Sequence, residues 1–416
     1  MENVKLFGAA GDGIQDDTQA IQHAADQAAA ADGEVYFPEG TYLTGTLFLR
    51  SGLHIRLSER AVLLGSPEIK SYSTKTHYNR YAGEHFLDRC LIYAEDAENI
   101  RISGGIIDGN GAAFYEEGNP DIVHPMLFRF LRCKNIRMND LNIRMPAGWS
   151  TAFLECENIR ISGISIISRH FNGDGLDFDS CRDVRVSDCM LDTSDDSLCI
   201  QNSVAERVSQ NFVINNCIMR SRWAAVRIGL LNSGDIENVT ISNCIFHDVL
   251  CSGLKIQAAE GGRIHNIMIS SLLMKNVPRP VFVTSNYCRM GVLDDSPHDG
   301  ERGIDGVYFK NIVIESDHTM KSDPAAGFIV LGTGKRKIKN IRFDDITYHA
   351  PGGWKDIPDS IPELEGKRPE YFSIGQISAS AFYAAHIEGL HLERFTYSFT
   401  EKDARPPIVF NDVQVV

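Results

Sequence analysis

Long apolar runs are missing from this chain of 416 residues. None approaches the roughly 20 residues that a membrane helix requires, so no membrane partner is expected. Basic residues are also short: 41 Lys and Arg stand against 55 Asp and Glu, a formal net charge of −14. That balance disfavours nucleic acid and anionic membranes as partners, and it would repel a long polyanion unless Arg and Lys gather locally. The start, Met1-Glu2-Asn3-Val4-Lys5-Leu6, lacks the basic start followed by an apolar stretch that marks a signal peptide, so a cytoplasmic protein is expected. No Cys-x-x-Cys pair occurs among the ten cysteines. They read as small buried hydrophobes rather than disulfides or metal ligands, and neither metal nor cofactor is expected.

What the chain does have is a repeat. Asn99-Ile-Arg-Ile-Ser-Gly returns as Asn135-Ile-Arg-Met-Asn-Asp, Asn158-Ile-Arg-Ile-Ser-Gly, Asp183-Val-Arg-Val-Ser-Asp, Asn211-Phe-Val-Ile-Asn-Asn, Asn238-Val-Thr-Ile-Ser-Asn and Asn266-Ile-Met-Ile-Ser-Ser. Looser copies begin at Gly306, Asn340 and Gly389. Apolar and polar residues alternate in each, the period of a half-buried strand. The position six residues after each start runs Leu141, Ile164, Cys189, Cys217, Cys244, Leu272, advancing by 23, 25, 28, 27 and 28 residues. A period in the twenties with strand signatures predicts an all-β fold, a single-stranded right-handed parallel β-helix of about ten coils.

One continuous repeat can use this length without a boundary, so residues 1–416 read as a single domain. Its cap is expected over 1–45, with a helix at about 17–32 started by the side chains of Asp16, Asp17 and Thr18 and ended by Gly33. The acidic run from Asp12 to Asp17 admits a metal loop as the other reading. The stretches 286–305 and 350–370, rich in Pro, Gly and charge, read as loop insertions that carry specificity.

Three aspartates sit one coil apart: Asp174 in Asn172-Gly173-Asp174-Gly175, and the pair Asp195-Asp196, 21 and 22 residues later. Adjacent coils would bring them side by side at about 5 Å, the distance between neighbouring strands. Grouped carboxyls resist joint ionisation, so one can stay protonated as an acid while another activates water or attacks carbon. Neighbours on a regular strand point to opposite faces. Either a bulge turns both Asp195 and Asp196 outward, or one is a buried, hydrogen-bonded residue.

These motifs resemble glycoside hydrolase family 28, the polygalacturonase group of the pectin-lyase-like β-helices. The likeness runs from Phe7-Gly8-Ala9-Ala10-Gly11-Asp12-Gly13 through Ile107-Asp108-Gly109-Asn110-Gly111 to the two aspartate motifs. It implies an inverting hydrolase of α-glycosidic bonds in pectin-derived or related oligosaccharides, with Asp195 as general acid and Asp174 and Asp196 holding the water. A polysaccharide lyase and a non-catalytic carbohydrate-binding β-helix are the competing readings.

Two family motifs are altered. Ala224 stands where the resemblance implies a histidine, and Lys255-Ile256-Gln257 replaces Arg-Ile-Lys, whose basic pair binds the galacturonate carboxylate. Lys lacks the bidentate fork of Arg, and Gln carries no charge. A rhamnogalacturonan or neutral-sugar substrate therefore competes with homogalacturonan. Candidate substrate-binding residues are Lys255 and Arg227 as replacement cations, Trp223 as a sugar platform, Asn172 as a positioning or hydroxyl-binding residue, Asp177 on the outward face, and His170 as a stand-in for the histidine.

Overall fold

The computed structural model describes residues 1–76, 87–115, 123–288, 302–320, 327–358 and 362–416. Two compact units divide the chain, Met1–Asp195 and Asp196–Val416. Both are built as parallel β-helix, the fold the repeat predicts.

In the first unit the repeat segments form one ladder: Glu98–Ser103, Lys134–Asn139, Glu157–Ser162 and Arg182–Ser187. Ile100, Ile136, Ile159 and Val184 stand in register and are buried, while Arg101, Arg137, Arg160 and Arg185 form an exposed column. Identical side chains thus land on identical neighbours. The ladder runs back through His54–Leu57 to Glu34–Phe37, two coils that the repeat does not reveal because neither opens on Asn. A second ladder stacks Phe130, Phe153 and Phe178 with ring centroids 5.0 and 5.1 Å apart.

The leading asparagines explain why the motif is Asn-Ile rather than any polar-apolar pair. Asn99, Asn135 and Asn158 take φ of 60°, 57° and 53°, a left-handed corner that Asn tolerates. Their side chains also pair along the stack: Asn135 donates to Asn99 at 2.9 Å and Asn158 to Asn135 at 2.7 Å. The second unit repeats the device, with Asn238 donating to Asn211 at 3.2 Å and Asn266 to Asn238 at 2.5 Å. Gly306 and Gly389, both at φ 81°, take over the corner where the motif loses its Asn.

In the second unit, Val208–Asn215, Asp235–His247, Ile264–Lys275, Ile304–Glu315 and Ile338–Gly352 continue as one ladder. Another places Cys199, Arg227, Lys255, Phe282, Ile329 and Tyr383 in one column. All ten cysteines are free, and all but Cys288 are buried.

The cap differs from expectation in its details. The helix spans Thr18–Ala29, shorter than predicted, and Asp32 rather than Gly33 takes the left-handed conformation, at φ 46°. Asp16 caps it, accepting from the Thr18 amide at 2.9 Å. Asp17 does not; its fully buried carboxylate accepts from the amides of Ala10 and Gly11 at 2.7 and 2.8 Å and ties down the preceding loop. Asp12 caps its own turn through the amides of Ile14 and Gln15. Of the two expected insertions, residues 289–301 and 359–361 lie outside the described residues, and strand Ile338–Gly352 extends into the start of the second. No helix among the described residues is long and apolar enough to cross a membrane.

Candidate active site

In the first unit, Asp174 follows a turn that the sequence pins in place. Asn172 sits at φ 53°, and Gly173 has no room for a side chain: a Cβ would meet Ser194 Oγ, with His170 O and Ser168 Oγ each at 2.9 Å. The Ser168 hydroxyl donates to Gly173 O and accepts from the Ser194 amide at 3.0 Å, and the Ser194 hydroxyl donates to His170 O. The turn bearing Asp174 is thereby fastened to the turn preceding Asp195. On its other side the Ser150 amide donates to Asp174 O at 2.8 Å and the Thr151 hydroxyl to Gly175 O at 3.1 Å. Gly173→Ala should lower kcat by about 10- to 100-fold, because displacing a reacting group by an ångström costs on that order. Steady-state turnover with circular dichroism as the folding control checks this.

Three carboxylates gather here. One oxygen of Asp174 lies within 4.8 Å of an oxygen of Asp195, and within the same distance of one of Asp177. Asp174 and Asp177 are 2% and 4% exposed, whereas Asp195 is half-buried. The spacing of Asp174 and Asp195 is that expected of adjacent coils, and Asp177 faces the same cluster. The φ of 53° at Asn172 shapes the turn that leads into Asp174. The His170 ring packs on Tyr115 with centroids 5.5 Å apart. Burial, with a contribution from His124, lowers its pKa, so the imidazole is neutral at pH 7.

In the second unit Asp196 is fully buried, the outcome that regular strand geometry allows for one of the pair. Its Oδ1 accepts from the Ala224 amide at 3.1 Å, and its Oδ2 meets Arg227 at 2.8 Å and the Cys199 thiol at 3.7 Å. Ala224, at the position of the altered histidine motif, still serves the carboxylate, through its backbone. Arg227, a candidate for binding substrate, is 12% exposed and directed at Asp196.

Lys255 departs further from expectation. It is fully buried, and its ammonium pairs with Glu370 Oε2 at 2.7 Å, the carboxylate side chain being 1% exposed. Burial alone would lower the Lys255 pKa, but Glu370, with Cys251 and Asp196, more than reverses this and leaves it raised. The charge expected to greet a substrate is satisfied internally, because a buried ammonium persists only beside a matching anion. Gln257, the other altered residue, donates to Pro369 O. Trp223 lies over the Lys255 ammonium at 4.1 Å and forms a partly exposed aromatic group with Tyr371 and Phe372.

Beyond Lys255 the same column is covered. Leu364, Ile374, Ile377 and Ala379 pack with Phe282, Ile329, Leu331 and Tyr383 in one apolar cluster. Glu370, Tyr371 and Phe372 escaped the sequence reading, since no period or motif links a loop residue to a strand 115 positions earlier. Only the loop-rich composition of 350–370 marked the region.

The family model for glycosyl hydrolases family 28 matches residues 63–360, most of the chain. The chain belongs to this family. As a family 28 member it is a glycoside hydrolase. A second model, rhamnogalacturonase A/epimerase, pectate lyase-like, matches residues 1–100. Among curated family relatives, a probable polygalacturonase of Vitis vinifera is 25% identical over 395 residues, covering 86% of this chain and 76% of its own. The exo-poly-alpha-D-galacturonosidase of Dickeya chrysanthemi is 28% identical over 387 residues, covering 78% of this chain; the match spans 63% of that enzyme. The solved family 28 exopolygalacturonase of Yersinia enterocolitica shares the fold, with a TM-score of 0.76 at 19% identity over 99% of this chain and 78% of its own.

Proposed function

We propose that this chain is an inverting, exo-acting hydrolase of α-glycosidic bonds in pectin-derived oligosaccharides. The observation that carries the reading is the approach of the Asp174 and Asp195 carboxylates to within 4.8 Å of each other, the first buried and the second half-exposed. Asp195, the most accessible, protonates the departing glycosidic oxygen. Asp174 holds and deprotonates the water that attacks the anomeric carbon, and the proton lost from water balances the one given up by Asp195. The names of the curated relatives support the pectic substrate class.

Distance and exposure argue in different directions about stereochemistry. Nearest oxygens within 4.8 Å approach the roughly 5–5.5 Å spacing of retaining enzymes, and inverting ones separate their carboxyl groups by about 6.5–9.5 Å. Exposure favours inversion. A nucleophile must bond the anomeric carbon directly, and a carboxylate only 2% exposed, as Asp174 is, reaches that carbon through a water more readily than by contact. Exo action is supported by the apolar cluster over Phe282, Ile329 and Tyr383, which denies an oligosaccharide passage along the column beyond Lys255.

Proton NMR of the first product of an α-linked oligosaccharide should show the β anomer, with monosaccharide as the only small product. An α anomer overturns inversion, and a ladder of oligosaccharides overturns exo action. An unsaturated, UV-absorbing product formed only with calcium would make the chain a lyase instead.

A further inference from the structure

We propose that Glu370 sets the sugar specificity: by holding the Lys255 charge inside the protein, it makes the Arg227 and Lys255 face select an uncharged α-linked sugar over a uronate. The inference rests on the glycosidase reading above and names its substrate class.

The physical case begins with charge. Two cations stand side by side in register on this face, Arg227 and Lys255. Each has an internal carboxylate, Asp196 for the first at 2.8 Å and Glu370 for the second at 2.7 Å. A carboxylate arriving on a substrate would find both cations already matched from inside, so it would give up hydration without gaining a counter-charge, and an unpaired desolvated charge disfavours that partner. The net charge of −14 adds to the repulsion at longer range.

Glu370 is built into place. Gln257, two residues beyond Lys255, donates to the carbonyl of Pro369, and the Arg279 guanidinium lies 4.0 Å over the Tyr371 ring. Leu364 and Ile374, on either side in sequence, belong to the apolar cluster over Phe282. The segment is therefore anchored before, at and after the carboxylate, as a fixed part of this face.

Beside the pair, Trp223 has Tyr371 and Phe372 at 5.9 and 6.4 Å, and Phe372 is 61% exposed. Aromatic faces favour the C–H-rich surface of a neutral hexose or 6-deoxyhexose. Charge is withdrawn from this face while aromatic surface is offered, and both favour an uncharged ring.

The test uses two α-linked trisaccharides that differ only in the terminal residue, a uronic acid or the matching neutral hexose. Wild type should cleave the neutral one with a kcat/KM about tenfold higher, the effect of one uncompensated charge at close range. Equal or faster cleavage of the uronide overturns the proposal. In Glu370→Gln the preference should shift about tenfold toward the uronide; an unchanged ratio in a variant with wild-type circular dichroism overturns it, and the wild-type comparison decides the matter if that variant does not fold. Should neither trisaccharide be cleaved, the hydrolase reading fails. Titration calorimetry with the same pair then still decides the specificity: tighter binding of the neutral sugar supports it, and equal or tighter binding of the uronide overturns it.

Discussion

Asp195→Asn lowers kcat by about 10²- to 10⁴-fold, the range expected for losing a positioned general acid. The amide has the shape of the carboxyl but no transferable proton, so the glycosidic oxygen must depart as an alkoxide. The fold is expected to survive, because Asp195 is half-buried, unlike the fully buried Asp196. A substrate with an acidic leaving group separates this role from a structural one. A dinitrophenyl glycoside leaves without protonation, so the variant should recover most of the loss on it, and the loss of acid assistance should remove the alkaline limb from its pH profile. Wild-type turnover of an ordinary oligosaccharide by Asp195→Asn would remove Asp195 as the acid.

The second large effect concerns stability. Arg227→Met should destabilise the protein by about 3–5 kcal/mol, the usual consequence of stranding one partner of a buried ion pair. Asp196 is fully buried, and without the guanidinium at 2.8 Å its charge loses the cation beside it, while the Ala224 amide and the Cys199 thiol stay in place. Removing the stranded charge should repair the damage. Arg227→Met with Asp196→Asn is expected to regain most of the lost stability in urea unfolding while remaining inactive. If Arg227→Met alone unfolds at the wild-type urea concentration, the pair is not holding the second unit together.

The coils were legible because a solenoid writes its geometry into its sequence. When Ile100, Ile136, Ile159 and Val184 must stack in register, each constrains the next, and the constraint surfaces as a repeat. Glu34–Phe37 and His54–Leu57 obey the same geometry without the Asn corner, so they left no mark. The spacing of Asp174 and Asp195 was legible for the same reason, as a separation of one coil. Side chains whose partners come from loops were not. Lys255 sat in the right frame, but its ammonium is governed by Glu370, and nothing in the strand sequence foretells a carboxylate arriving from a distant segment. Asp17 failed in a related way: its position suits a helix cap, yet the Ala10 and Gly11 amides compete for the same oxygens and win.

The asparagine corners have one more property, a direction. Asn135 donates to Asn99 and Asn158 to Asn135, and in the second unit Asn238 donates to Asn211 and Asn266 to Asn238, always toward the N-terminus. An amide can pass such a chain along because it donates and accepts at once, whereas the carboxylate of Asp183, next in the first unit's series, has no proton to offer Asn158. Each string is therefore one-way, and a coil that slips so that the next residue takes the corner presents Ile, Val or Phe in the slot instead of an amide. The sense of the string acts as a check on register, read coil by coil as the solenoid winds.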